Sequence, residues 1–370
     1  MIESIEFSNF KALRKTTLPL APFTLLLGPN GSGKTTVLQA LDAIALLAAQ
    51  QLRIPQQAGK PRDLPAWSSL LSVIAEDRRA PVEIKARLRI DKQLIIATFQ
   101  WGSNNNVTTQ FTDEDGSAVK RPTGQRPISL GPGPHGTDQP SDLVALLKWL
   151  ARIKTFSLDY SAIRQPVPVN SGPSVQHDGT GLAAVLDDLK DNHPERWDSL
   201  LAEMCRWLPE YDYILFDKPQ QGHKGIVLRT KRGGYRIPAQ ELSQGTLVAL
   251  ALLTLAYLPE PPSLIGLEEI DRGLHPRLLR HLQDALYRLS YPESCGESRP
   301  PIQVIATTHS PYLLDMYRDH PEEVILAQKA GLEVTMQPLT AIEHYQDILG
   351  DSPLSEVWYS GVLGGASVKP

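Results

Sequence analysis

Cysteine is nearly missing from this sequence. Cys205 and Cys295 stand alone, with no metal-ligand spacing and no paired pattern. That excludes a disulfide framework and fits two reduced thiols in a cytosolic protein. A strong charge of one sign is also missing. Lys and Arg number 37 against 41 Asp and Glu, a formal net charge of −4. Bulk charge therefore gives no support to a surface that grips nucleic acid throughout, although a local basic patch is compatible with it. The longest apolar run, Leu247 to Leu258, is too short to span a bilayer and reads as a buried helix. The N-terminus, Met1-Ile2-Glu3-Ser4-Ile5-Glu6, alternates as a strand does and carries no secretory signal pattern. There is no internal repeat and no heptad run. The expectation is a cytoplasmic protein with no membrane partner. What is present is ordinary: 41% hydrophobic and 21% charged residues over 370 positions. That suits one large α/β domain with insertions, or two small domains.

Met1 to Leu27 reads as two or three strands, the last being the unbroken apolar run Phe23 to Leu27, buried on both faces. A helix is expected from about Thr35 to Leu52, with Val37, Leu38, Leu41, Ile44, Ala45 and Ala48 on its apolar side. Residues 53–70 form a Pro- and Gln-containing connection. From Val82 to Trp101 the pattern alternates, with Val82, Ile84, Ala86, Leu88 and Ile90 on one strand face. Residues 102–140 read as hairpin turns and then a mobile Pro/Gly-rich loop from Arg121 to Pro140. A helix capped by Ser141 is expected to run to Ile153. Gly181 to Trp207 reads as two helices broken near Asn192-His193-Pro194, and Tyr213 to Ile237 as strands around a turn at Gly233-Gly234. From Glu241 the order is helix, strand, helix, strand.

Gly28-Pro29-Asn30-Gly31-Ser32-Gly33-Lys34-Thr35 fits the phosphate-loop pattern G-x-x-x-x-G-K-[ST], between a buried strand and an amphipathic helix. Each residue type has a reason. The glycines let backbone N–H groups face a polyphosphate with no Cβ in the way. The helix start offers its positive dipole end. Lys34 is placed to reach the β- and γ-phosphates, and the Thr35 hydroxyl to ligate Mg²⁺. Asn30, Gly31, Ser32, Gly33, Lys34, Thr35 and Thr36 are the expected nucleotide-binding residues here.

Three further features narrow the class. Leu242-Ser243-Gln244-Gly245-Thr246 opens a strong helix and resembles the signature motif of ABC ATPases. Ser263-Leu264-Ile265-Gly266-Leu267-Glu268-Glu269 is an apolar strand ending in two carboxylates and resembles Walker B. Ile302 to Thr308 is a second buried strand, followed by His309-Ser310-Pro311, and resembles the switch-histidine segment in the T-H-S-P form of the RecF/OLD branch. In order and spacing the chain resembles an ABC-type ATPase of the RecF/SMC/OLD branch. The segments that carry the match are Met1 to about Gln50 and about Ala239 to Leu326. Residues 154–190 resemble compact AAA/OLD-type ATPases more loosely.

The resemblance implies a fold and a set of roles. The fold is an α/β P-loop NTPase core of ABC-ATPase head type, with a β-rich N-terminal lobe and a helical insert. Residues 1–370 would form a single head. Within it, 1–52 and 239–345 make the nucleotide-binding core, 53–140 a β-rich insert, and 141–238 a helical insert plus hairpin. The implied cofactors are ATP and Mg²⁺. Ser243, Gln244 and Gly245 would contact nucleotide bound to a second subunit, so a homodimer or higher oligomer around ATP is expected. Glu268 would hold the Mg²⁺ water shell and Glu269 would polarise the attacking water, with His309 on the γ-phosphate and Lys34 completing the catalytic set. Gln110 and Gln165 are both candidates for the glutamine that senses Mg²⁺. His275-Pro276 reads best as a helix start, and Asp271 stands where the branch often has Glu. The chain runs about 60 residues past His309, too few for a C-terminal TOPRIM nuclease domain. The resemblance therefore implies an ATPase subunit that works with a separately encoded effector such as a nuclease, in phage defence or DNA maintenance. The alternatives are a nucleotide-gated scaffold or sensor with little turnover and a RecF-like DNA-binding repair ATPase, with nucleic acid a candidate partner through Lys231, Arg232 and Arg236.

Overall fold

The computed structural model describes residues 1–52, 67–72, 79–90, 93–104, 106–117, 141–345, 347, 350 and 352–360. The expected Pro/Gly-rich loop from Arg121 to Pro140, and most of the 53–70 connection, lie outside the described residues. The chain folds as two compact units, and the first comprises Met1–Ala21, Pro29–Ile153 and Leu326–Pro338.

This first unit is built on an antiparallel sheet of β1 (Ile2–Phe10), β2 (Leu13–Pro19), β4 (Val82–Ile90), β5 (Gln93–Trp101) and β6 (Val107–Asp113), ordered β2-β1-β4-β5-β6. Successive side chains point to opposite faces, so alternation in sequence becomes one buried face. Val82, Ile84, Ala86 and Leu88 are buried from β4, and Ala97, Phe99 and Trp101 from β5. Phe7 pairs with Ile84 and Ile84 with Phe99, which fixes the register, because a one-residue slip would turn this face to water. Helix α1 (Lys34–Gln51) packs against α3 (Ser141–Ala151). The Thr16 hydroxyl donates to the Val334 carbonyl at 2.7 Å, tying β2 to β15 (Glu333–Pro338).

Pro22–Gly28, Lys154–Ile325 and Leu339–Pro370 make up the second unit. Its centre is parallel: β13 (Gln303–Thr308) lies between β3 (Phe23–Leu27) and β12 (Leu264–Leu267). Every residue of these three strands is buried, as continuous apolar runs covered on both faces require. Helix α7 (Gln244–Ala256) is buried from Thr246 to Leu255. Its leucines Leu247, Leu250, Leu252, Leu253 and Leu255 each stabilise the core by ~1.5–3 kcal/mol on burial. Helix α8 (Pro276–Ser290) is two-sided, with Leu278, Leu279, Leu282, Leu286 and Leu289 inward. Beside this core, β9 (Tyr211–Asp217), β10 (His223–Thr230) and β11 (Arg236–Pro238) form an antiparallel sheet. Helices α5 (Leu182–Asn192) and α6 (Pro194–Trp207) pack against each other.

The architecture is α/β, as expected, with the β-rich N-terminal lobe and the helical segment in place. One boundary is corrected: the helix from Ser141 ends at Ala151, and Ile153 starts strand β7 (Ile153–Phe156). A branched Ile followed by a threonine-bearing run favours the pleated surface over another helical turn. Among the described residues, no helix is long and apolar enough to cross a membrane.

Candidate active site

From Pro29 onward the phosphate-loop residues lie in the first unit, and Gly28 belongs to the second. Gly31 and Gly33 take φ of 77° and 86°, left-handed values that L side chains seldom adopt. Gly33 caps α1, and a Cβ on it would meet Leu13 Cδ2 at 2.7 Å. Ser32 is buried, whereas Asn30, Gly31 and Thr35 are exposed and Thr36 is half-buried. Lys34 is 7% exposed, and its Nζ donates to the Pro29 carbonyl at 3.0 Å and to Ser32 Oγ at 3.5 Å. Its ammonium thus lies along the loop rather than in solvent. The 18-residue helix behind it has no acid in its first turn, so nothing there cancels its positive end. Glycines that take left-handed turns, a cation along the loop and a helix N-terminus with no acid in its first turn fit a polyanion such as a nucleoside triphosphate. The exposed Thr35 hydroxyl suits a cation bound with those phosphates.

The remaining motif residues lie in the second unit. β12 delivers Glu268 and Glu269 to its end. The Glu268 amide donates to the Phe156 carbonyl at 2.8 Å. Glu269 has φ of 45°, an unusual value for a residue with a side chain, costing on the order of 1–3 kcal/mol. Its amide donates to Thr307 Oγ1 at 2.9 Å. Glu268 and Glu269 line a small cleft with Phe156, Leu252, Leu267 and Arg272. Arg272 lies 3.8 Å from the Glu269 carboxylate; both side chains are well exposed, and such a pair contributes little.

Ser243 caps α7, its Oγ accepting the Thr246 amide at 3.1 Å. Ser243 is exposed, and Gln244 and Gly245 are half-buried. A Cβ on Gly245 would stand 2.7 Å from the Gly273 carbonyl oxygen. The start of the signature helix therefore rests on the loop that follows the acids. His309 is exposed at the end of β13. His275 caps α8 by accepting the Arg277 amide on Nδ1 at 3.2 Å, and Pro276 takes the first helical position, the helix start expected from sequence.

Within the second unit the structure thus gathers the acids with the end of β13, and Gly245 with Gly273. The two glutamine candidates part company. Gln110 is exposed on β6, in the first unit. Gln165, in the second, donates to the Ser161 carbonyl at 2.9 Å. Sequence reasoning missed Thr307, Thr308 and the placement of Asp271. Thr308 Oγ1 donates to Asp271 Oδ1 at 2.5 Å. The visible signal was two adjacent threonines after the apolar run Val304 to Ala306 of a fully buried strand, where hydroxyls are placed only if they find partners.

Known proteins share parts of this arrangement. A family model described as "AAA ATPase domain" matches residues 1–108. A second, described as "AAA domain, putative AbiEii toxin, Type IV TA system", matches residues 152–315. Among solved structures, an SMC head bound to the C-winged helix domain of ScpA is 16% identical, with a TM-score of 0.57, and the match covers 92% of this chain and 98% of that one. An Smc head with an extended coiled coil from Pyrococcus furiosus, bound to the C-terminal domain of ScpA, is 14% identical, with a TM-score of 0.52, over 92% and 96% of the two chains. These likenesses show the ABC-ATPase head fold. The OLD nuclease of Thermus scotoductus (strain ATCC 700910 / SA-01) is 22% identical over 341 residues, 86% of this chain and 60% of that protein. The chain thus spans about 60% of the length of the curated relative it matches. With both AAA models, these matches are a likeness to ABC-type ATPases of the RecF/SMC/OLD branch.

Proposed function

We propose that this chain binds and hydrolyses ATP, and that two copies close around two ATP·Mg²⁺. The observation that carries the reading is the phosphate loop, with two left-handed glycines and the Lys34 ammonium along the turn that opens α1. Lys34 and the loop amides, from Asn30 through Thr36, hold the phosphates. Thr35 and Glu268 would hold Mg²⁺, which when bound neutralises phosphate charge. Glu269 orients the attacking water, and its exposed carboxylate leaves room for one. His309 contacts the γ-phosphate. Ser243, exposed at the start of α7, contacts the nucleotide of the second copy together with Gln244 and Gly245. Burying phosphate charge between copies makes ATP part of the interface, and its hydrolysis loosens the pair. The chemistry is mostly positioning and electrostatics.

Glu269→Gln tests this. The amide keeps the shape but cannot take a proton, so the variant is expected to hold ATP and accumulate as a dimer or larger assembly. Light scattering with and without ATP and Mg²⁺ reads it directly. A monomer whose mass ignores ATP would break the assignment of Ser243 to a second copy, and turnover equal to wild type would remove Glu269 from its role.

We infer further that the ATPase cycle drives or gates an effector, such as a separately encoded nuclease, in phage defence or DNA maintenance. The relative named as an OLD nuclease supports this direction. A second reading, direct nucleic-acid contact, is favoured by the β10–β11 hairpin. Residues 231–236 are all exposed, including Lys231, Arg232 and Arg236, and Tyr235 is 69% exposed. Cations beside an open aromatic ring suit phosphates and an unstacked base. Three phosphate contacts would give a log–log salt slope of about −2 to −3. Fluorescence anisotropy with a labelled single strand measures it. Replacing the three cations by alanine should flatten that slope, and an unchanged slope would discard this reading.

A further inference from the structure

Two buried hydroxyls at the end of β13 hold the loop that carries the acids. Thr307 is 1% exposed and Thr308 is fully buried. Thr307 accepts the Glu269 amide on Oγ1 at 2.9 Å and the Ile270 amide on its carbonyl at 3.1 Å. One residue thus fixes two consecutive peptide units, on either side of the Glu269 Cα. The Arg272 amide closes onto the Glu269 carbonyl at 2.9 Å. A glutamate at φ 45° persists only where its surroundings over-determine it, and these bonds are what does so.

Thr308 repeats the device one residue on. Its hydroxyl donates to Asp271 Oδ1 and accepts the Ser310 amide at 2.9 Å. Ser310 Oγ in turn accepts the Leu313 amide at 3.4 Å. His309 is therefore flanked by two residues whose positions are set, one by the acidic loop and the other by the following helix.

We propose that Thr307 is a positioning residue for hydrolysis and Thr308 the link between His309 and the acidic loop. The Thr307 hydroxyl sets the direction from which the Glu269 carboxylate meets water. Thr308 ties the backbone beside His309 to Asp271, so that movement of the histidine and movement of the acidic loop occur together. This rests on the reading of Glu269 as the water-orienting carboxylate, and it adds residues which that reading does not require.

Valine at 307 keeps the branched shape, the burial and the carbonyl that takes the Ile270 amide. It replaces the hydroxyl by a methyl group and so removes the acceptor of the Glu269 amide. Thr307→Val is expected to lower kcat by about 10²-fold, the scale of a small misplacement at a reacting centre. ATP affinity, measured with a fluorescent nucleotide, should stay as in wild type. Thr307→Ser restores the acceptor and should restore kcat. A purely structural threonine would instead lower the melting temperature and shift binding and turnover together. Glu269→Gln is assayed alongside. If Glu269→Gln is dead while folded Thr307→Val turns over like wild type, the proposal falls and the role of Glu269 stands. If Glu269→Gln turns over normally, both fall. Should Thr307→Val not fold, Thr307→Ser and Thr307→Cys carry the test, because sulfur is the poorer acceptor. A slow cysteine variant beside a fast serine variant supports the proposal, and equal rates overturn it.

Discussion

Lys34→Ala is expected to leave a folded protein that turns over ATP at least about 10²–10³-fold more slowly than wild type, the scale of losing one preorganised electrostatic contact. Placement is the reason. The ammonium lies along its own loop, 3.0 Å from the Pro29 carbonyl, so it meets an incoming phosphate already oriented and mostly desolvated. A charge-assisted bond formed from such a position is strong, and no neighbouring first-turn acid competes for it. The fold does not depend on it. The buried face of α1 is made by Val37, Leu38, Ala40, Leu41, Ala43, Ile44, Leu47 and Ala48, which alanine at 34 leaves untouched. Phosphate release and nucleotide binding, with a melting curve for the same sample, read the outcome. Wild-type turnover in folded Lys34→Ala protein would mean that the loop does not act on nucleotide.

Glu203→Ala tests the scaffold instead. This glutamate on α6 is 4% exposed. It accepts both contacts of Arg288 Nη2, at 2.6 and 2.5 Å, the Trp207 indole N–H at 3.3 Å and the Tyr257 hydroxyl. One carboxylate thereby joins α6, α8 and the end of α7. Burial alone would raise its pKa, but the Arg288 and Tyr257 hydrogen bonds and the Arg288 charge outweigh burial and hold it below the usual carboxylate range. The same carboxylate, after burial, helps to push the Tyr257 phenol up to about 12. Alanine leaves Arg288 without its counter-charge in a half-buried place, a loss on the order of 3–5 kcal/mol. The sign with pH follows. A folded pKa below the unfolded one gives stability that is present above the unfolded carboxylate value, about 4.3, and is lost as pH falls through the folded value. Wild type and variant should therefore differ most near neutrality and converge in acid. Urea unfolding at both pH values measures this. A neutral-pH difference under about 1 kcal/mol, the size of an exposed pair, or a gap that widens in acid, would rule out a stabilising buried network.

The parts of the fold that could be read beforehand were those set by local pattern. The phosphate loop needs a strand, glycines and a helix within one short window, and α1 begins at Lys34, one residue before the expected start. His193 separates α5 from α6 where Pro194 forbids an unbroken helix. The alternation of β4 gave its buried face from Val82 to Leu88, and only Ile90 at the strand end is less than buried. What could not be read depends on residues far apart in the chain. Glu203 and Arg288 are 85 positions apart, and neither has a neighbour that announces the other. Thr307 and Thr308 looked like the polar end of a strand, because their partners, the Glu269 amide and the Asp271 carboxylate, are fixed by sheet order rather than by spacing. The left-handed Glu269 was invisible for the same reason: nothing in the residue type hints at a backbone that its neighbours impose.

Gly245 and Gly273 constrain each other's segments. Each occupies the space that a side chain on the other's segment would need: a carbon atom on 245 would strike the 273 carbonyl, and one on 273 would strike the Gln244 side chain. A side chain at either position requires the facing segment to give way, and at Gly273 the left-handed backbone (φ 75°) adds strain of its own. The two segments are coupled in space, although 28 positions separate the glycines along the chain (273 − 245). A side chain costs far less at the exposed Gly172, where an added carbon meets open space and the backbone is not left-handed.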